Sequence, residues 1–482
     1  MITRRRERTG RVGVFGVGHA TYWPQFEGLL ERLMAHHATF LDAVRANGVD
    51  VVDFGMVDSS PKAYAAADAM AAANLDVVFC NMLTYATSST FAPIIRAATA
   101  PLVLIALQPM RALDYSQAKT AMQLENDSIC SVPEFTGVAI RMGRPVDDVV
   151  IGTLTGDEDA RAHVAQWCEI AKVLHDLKGA RIGLMGHVLE AMYDMHADPT
   201  AISAAFGCHV PLLEVDDLLR CYETVDDGEV AAKKQTILDE FDMPDPKSDP
   251  VTRRLTPEDL EQAARTAVAL DRLVDDYDLT GMAYYYEGRQ GSEHRTVATT
   301  LIVGNSLLTG AGIPICGEAD IKTCVAMLIM DRLDIGGSFA EFHPFDFNED
   351  FILVGHDGPA HIRIADGKPV LRSLIKYHGK PGSGASVEFK LKEGPITMLG
   401  ISSTGEGRIK FVIGEGESRK GPIPPTGNTN TRGFFAPNTK DFVRAWVMEG
   451  PTHHYALGIG HHAAELKKIG DVLGVEAVIV KP

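Results

Sequence analysis

The chain has 482 residues, 45% hydrophobic and 23% charged, with a formal net charge of −18. That length exceeds what one ordinary core organises and predicts two or three domains of globular type. The acidic surplus argues against nucleic acid and anionic membranes as partners, because phosphate binding needs a basic face.

No run reaches the roughly 18 apolar residues of a membrane-spanning helix. The basic start Arg4-Arg5-Arg6 reads as a frayed, solvated terminus, and with no apolar run after it an export signal is not expected. Strand-like runs follow at Arg11 to Phe15, Val49 to Phe54, Asp76 to Phe79 and Pro101 to Ala106, with helical stretches at Phe26 to Asn47 and Tyr64 to Asn74. Such alternation predicts a parallel sheet covered on both faces. Gly13, Gly16 and Gly18 flank the first strand, but His19-Ala20-Thr21 breaks the GxGxxG spacing. The turn is therefore read as one that admits substrate at the sheet's carboxyl edge rather than a dinucleotide.

After Lys178-Gly179-Ala180 the pattern restarts with strands expected at Arg181 to Met185, Val210 to Val215 and Gly281 to Tyr286, and a Pro-rich loop at Asp242 to Pro250. Beyond about Gly312 the texture changes. Runs at Phe351 to Val354, His361 to Ile364, Val387 to Leu391 and Ile409 to Ile413, parted by Gly, Pro and Asp, predict antiparallel sheet or barrel. The expected fold class is thus α/β: two doubly wound parallel-sheet domains, 1–177 and 178–311, then a C-terminal antiparallel β-barrel-like domain, 312–482. The seven cysteines (Cys80, Cys130, Cys168, Cys208, Cys221, Cys316 and Cys324) contain no CxxC, which predicts reduced thiols and a cytoplasmic protein.

Chemistry concentrates in Glu318, Glu341, His356 and His454. Two carboxylates and two imidazoles suit Mn²⁺, Co²⁺ or Fe²⁺, with Mg²⁺ a poorer match. Each has a bland reading. Glu318 stands where a helix cap is common, although Asp320 can cap instead. Glu341 follows a Gly-Gly turn and reads equally as a loop residue. His356 is a strand-end histidine, and His343, His461 and His462 are alternative ligands.

Context separates these readings. Gly317-Glu318-Ala319-Asp320-Ile321-Lys322-Thr323, Gly336-Gly337-Ser338-Phe339-Ala340-Glu341, Leu353-Val354-Gly355-His356 and His453-His454 before an amphipathic helix (Ala463 to Gly474) form four blocks in order. Together they resemble the L-arabinose isomerase family and the wider arabinose/fucose isomerase group, with one residue fewer between the glycines and Ser338.

The resemblance implies a metal-dependent aldose–ketose isomerase acting through an enediolate on a pentose, a 6-deoxyhexose or a related sugar. It assigns Glu318, Glu341, His356 and His454 to the ion, Mn²⁺ foremost, and gives the two glutamates the acid and base roles. Alignment through the following helix favours His454 over His453 as ligand, leaving His453 to touch substrate, and Tyr286 lines the sugar pocket. It also implies a homo-oligomer, a trimer or hexamer, whose N-terminal domain supplies substrate contacts and an interface. Where the family reads Gln-His-Leu-Tyr-Gly-Pro, this chain has His19-Ala20-Thr21-Tyr22-Trp23-Pro24, and Cys130 replaces a histidine that reaches a neighbouring subunit's site. Those departures at His19, Tyr22 and Cys130 concern which sugar is recognised. The alternatives are a sugar-binding or sensing protein of the same fold without catalysis, and a lyase or hydrolase using the same metal.

Overall fold

A computed structural model describes residues 2–249, 254–285, 289, 291–373, 376–377, 380–381, 384–424 and 429–482. The chain divides into two compact units, Arg8–Asp176 and Met1–Glu7 with Leu177–Pro482. No helix among the described residues is long and apolar enough to cross a membrane.

In the unit Arg8–Asp176, β1 (Arg11–Val17), β2 (Asp50–Val57), β3 (Val77–Met82), β4 (Leu102–Gln108) and β5 (Asp148–Thr153) form one parallel sheet in the order β2-β1-β3-β4-β5. Every residue of β3 and all but the first of β1 are buried, as strands covered on both faces must be. Phe40 of the helix Leu29–Arg45 packs on Phe79, and Phe91 stacks on Phe135 at 4.6 Å between ring centres. Because the winding reverses between β1 and β3, their carboxyl ends leave a crevice between the connections.

The second unit repeats that winding. Its parallel sheet comprises β6 (Ile182–Met185), β7 (Leu212–Leu213), β8 (Gly281–Tyr284) and β9 (Ile315–Cys316), in the order β7-β6-β8-β9. A long helix, Pro257–Asp276, starts on a reciprocal Thr256/Asp259 cap and buries Leu260, Ala264, Leu270 and Leu273. The helix that follows β9, Ile321–Arg332, is buried at every position, so its charged residues Lys322, Asp331 and Arg332 must all find partners inside.

The rest of the chain is rich in strands. They are β10 (Gly336–Asp346), β11 (Phe351–His356), the short strands β12 (Val370–Ser373), β13 (Lys376–Tyr377), β14 (Lys380–Pro381) and β15 (Ala385–Glu388), and the long pair β16 (Gly394–Ser403) and β17 (Ile409–Arg419). β18 (Thr429–Phe434), β19 (Tyr455–Ile459) and β20 (Glu476–Ile479) complete the set. The order β16-β19-β10-β11-β18-β17, with β17 also paired to β16, is a closed six-stranded antiparallel barrel; β20 adds in parallel to the first half of β17. Closure removes free edges, and Trp446, Phe442 and Tyr455 join its core.

Two local expectations fail. Arg4-Arg5-Arg6 is not frayed: the Arg4 guanidinium donates to both carboxylate oxygens of buried Asp331 at 2.8 and 2.9 Å, Arg5 reaches Asp271 and Asp275, and Arg6 reaches Asp278. His361 to Ile364 is a 3-10 turn over Ile362–Ile364 rather than a strand. The His361 N–H donates to Ser338 Oγ and its Nε2 meets Asp331 at 3.1 Å, so polar anchors override the β-branched pattern.

Candidate metal centre

β9 ends at Cys316, and the chain turns sharply before the helix Ile321–Arg332. Glu318 and Ala319 both take left-handed backbone conformations, φ 58° and 56°, which cost a side-chain-bearing residue roughly 1–2 kcal/mol each. The turn is held by the Ala319 N–H donating to the Tyr284 carbonyl at 2.8 Å and by Asp320, whose carboxylate caps the helix at the Thr323 N–H, 3.1 Å. Asp320 therefore does the capping, and the Glu318 side chain is free of it. Glu318 Oε2 is buried without a hydrogen-bond partner.

Glu341 comes from β10, where Phe339, Glu341 and His343 alternate along one side of the strand. It sits directly across from Gly355, one residue before His356 at the end of β11. His356 Nε2 lies 3.7 Å from Glu341 Oε1, while its Nδ1 donates to the Asp357 carbonyl at 2.6 Å. His454, just before β19, places Nε2 3.8 Å from Glu318 Oε2 and sets Nδ1 against Asp320 Oδ2 at 3.2 Å. In both rings the Nδ1 partner is an acceptor, so Nδ1 carries the proton and Nε2 offers its lone pair to the site. Phe339 touches both rings, with centres 4.3 Å away.

The electrostatics of the three groups differ. Burial pushes the Glu318 carboxyl above its ordinary range. Burial and the neighbouring His454 hold His356 well below the usual histidine range, hence neutral. Burial disfavours charge on His454 too, but the Asp320 carboxylate outweighs it and raises that imidazole.

Together with His453 the four residues form two overlapping triads rather than one tight group. Glu341, His356 and His454 are one, and Glu318, His453 and His454 the other, each with ligand atoms within 4.8 Å of one another. His453 packs its ring on His454 at 3.9 Å and is held by Asp194. Of the alternative histidines, His343 stands 4.0 Å from Glu341. His461 instead pairs with the Gly416 carbonyl and His462 with Glu465.

The residues that the resemblance assigns to sugar recognition come from other segments. In Arg8–Asp176, His19 follows β1 and packs edge-on against Tyr22 at 5.1 Å and Tyr85, which follows β3, at 6.2 Å. Burial, then the proximity of Tyr85, Asp127 and Cys130, raises the Tyr22 phenol, so these groups share one neighbourhood. Cys130 is exposed. Tyr286 lies outside the described residues. Sequence reasoning missed Tyr85, Asp127 and Asp194; only Tyr85 left a signal, as the aromatic just past an apolar strand's carboxyl end.

The family described as L-fucose isomerase, C-terminal domain, matches residues 369–481. The L-arabinose isomerase of Cellvibrio japonicus (strain Ueda107) is 22% identical, covering 83% of this chain and 79% of that protein. The L-arabinose isomerase of Klebsiella pneumoniae (strain 342) is 22% identical, covering 72% and 69%, and that of Aeromonas hydrophila subsp. hydrophila 21%, covering 83% and 79%. The chain is similar to the arabinose/fucose isomerase group over most of its length. Of the four candidate ligands only His454 lies within the matched stretch 369–481; β10 and β11 bring Glu341 and His356 to it, and the turn after β9 brings Glu318.

Proposed function

We propose that this protein is a metal-dependent aldose–ketose isomerase acting on a pentose, a 6-deoxyhexose or a related sugar. Glu318, Glu341, His356 and His454 hold one divalent ion, Mn²⁺ foremost, with Co²⁺, Fe²⁺ or Mg²⁺ as substitutes. One observation carries the reading. Glu318 Oε2 and His454 Nε2 are buried without hydrogen-bond partners and face each other at 3.8 Å. A buried acceptor left unpaired costs about 1–3 kcal/mol, and a cation between the two removes that cost. Two oxygen and two nitrogen donors, each imidazole oriented by an acceptor behind it, are a fitting donor set.

When bound, such an ion polarises a sugar carbonyl and the adjacent hydroxyl. The chain's own residues do the remaining work. Glu318, its carboxyl raised by burial, holds or releases a proton, and Glu341 serves as its partner for moving a proton between neighbouring carbons. His453 borders this space, and His19, Tyr22, Cys130 and Tyr286 contribute to sugar recognition. In this reading residues 1–177 supply substrate contacts and an oligomer interface, 178–311 form the central domain, and 312–482 carry the ligands. A cytoplasmic trimer or hexamer, in which one subunit's N-terminal domain completes a neighbour's site, follows from the same reading.

The test is a panel of aldoses and ketoses assayed with added Mn²⁺, with metal content measured in parallel. Metal-dependent interconversion of at least one pair is expected. Stoichiometric metal without any interconversion would leave a binding protein in its place.

A further inference from the structure

His453 is held in an unusually determined way for a half-exposed side chain. Asp194, in the 3-10 turn Tyr193–Met195 after β6, accepts with one oxygen from both the His453 backbone N–H, 3.0 Å, and its Nδ1, 2.6 Å. An ionised carboxylate only accepts, so the proton of the neutral ring sits on Nδ1 and Nε2 keeps its lone pair. The turn is itself anchored. Lys322, fully buried on the first turn of the helix after Glu318, donates its ammonium to the carbonyls of Asp194 at 2.9 Å and His196 at 3.0 Å. A buried ammonium satisfied by two backbone carbonyls is a costly arrangement that fixes a loop and little else. The segment that presents Glu318 thereby also fixes, through Lys322 and Asp194, the ring packed beside His454.

We propose that Asp194 is a positioning residue that sets the tautomer and orientation of His453, with Lys322 bracing the turn that carries it, so that His453 Nε2 accepts a hydrogen bond from a sugar hydroxyl. The last clause rests on the isomerase reading; the tautomer does not. An aldose or ketose hydroxyl adjacent to the reacting carbons is the donor this nitrogen fits. Neither Asp194 nor Lys322 touches the ion or the substrate in this scheme.

Two measurements test it. In ¹⁵N-histidine spectra of the metal-loaded protein, the His453 signal, assigned by its loss in His453→Asn, should carry its proton on Nδ1, and Asp194→Ala should shift it toward Nε2–H. This arm needs no turnover. A wild-type ring protonated on Nε2, or one indifferent to Asp194→Ala, overturns the proposal even if the enzyme is active. A clear tautomer shift in a protein that isomerises no sugar would sink the isomerase reading alone. In an active protein, Asp194→Ala should lower kcat/KM about tenfold, chiefly through KM, with Mn²⁺ affinity unchanged. His453→Asn should cost a similar factor, and the double variant no more than either single. Lys322→Met should move KM the same way and lower Tm as well. Multiplying single effects in the double variant, or a fall in Mn²⁺ affinity on Asp194→Ala, would refute the positioning role.

Discussion

Asp320→Asn probes how the centre is oriented, because it changes charge and hydrogen count while keeping shape. Asp320 is fully buried and makes three bonds: it caps the Thr323 N–H at 3.1 Å, accepts from Thr323 Oγ1 at 2.7 Å, and meets His454 Nδ1 at 3.2 Å. An asparagine keeps one acceptor for the cap but points an N–H₂ group at two groups that donate. His454 must then give up its Nδ1 proton and carry it on Nε2, the atom that faces Glu318. Hydrogen bonds to a charged partner contribute about 1.5–3 kcal/mol each, and weaker amide bonds replace part of the loss, so metal-free stability should fall by about 2–3 kcal/mol. A ligand imidazole with the wrong tautomer should weaken metal binding about 10–100-fold. Urea unfolding of the metal-free protein gives the first quantity, and calorimetric titration with Mn²⁺ the second. Unchanged Mn²⁺ affinity in a folded Asp320→Asn protein would refute the argument that Asp320 orients the His454 lone pair.

Glu318→Gln and Glu341→Gln should each nearly abolish interconversion at saturating Mn²⁺, since an amide neither carries the proton nor supplies charge; near-normal kcat in both excludes their acid and base roles. His19→Ala and Cys130→His should instead change kcat/KM ratios between sugars, read from steady-state kinetics on several substrates. Ala319→Gly, which in a helix interior would cost about 1 kcal/mol, should be neutral or stabilising in urea unfolding, because it relieves the left-handed backbone at φ 56°. Asp331 is buried, which alone would raise its carboxyl, but His361, Arg332 and Arg4 hold it far below the ordinary range. Its contribution is complete above the unfolded value of about 3.9 and is lost as pH falls below that, so Tm should drop more steeply from pH 5 to 3 in wild type than in Asp331→Asn.

The architecture was legible because periodicity reports which faces are covered, and both sheets and the barrel declared themselves that way. Glu341 was harder. Gly336-Gly337 reads as a turn, yet it opens β10, and the glycines serve packing: a Cβ on Gly337 would stand 2.7 Å from the Met327 carbonyl oxygen, and one on Gly336 2.5 Å from Ile364. Close approach to a buried helix and a free turn demand the same residue, so sequence cannot separate them. The Arg4 to Arg6 error has a similar cause, since the nearest acidic partner of that triplet is more than 260 residues away in sequence. Four-block order carried the ligand candidates. Asp194 carried no such mark, because its role comes only from where the β6 loop meets the residues before β19.

The position of β19 has a consequence for how the protein is made. This strand pairs with β10 on one side and β16 on the other, so it is the stave that completes the barrel, and His454 stands immediately before it. A ribosome-bound chain therefore carries Glu318, Glu341 and His356 through the synthesis of about a hundred further residues with no fourth partner. Contacts of such long sequence separation form late and slowly. In the proposed centre, ion capture would report completed assembly: a chain halted before residue 454 retains three candidate donors yet lacks the one both triads share.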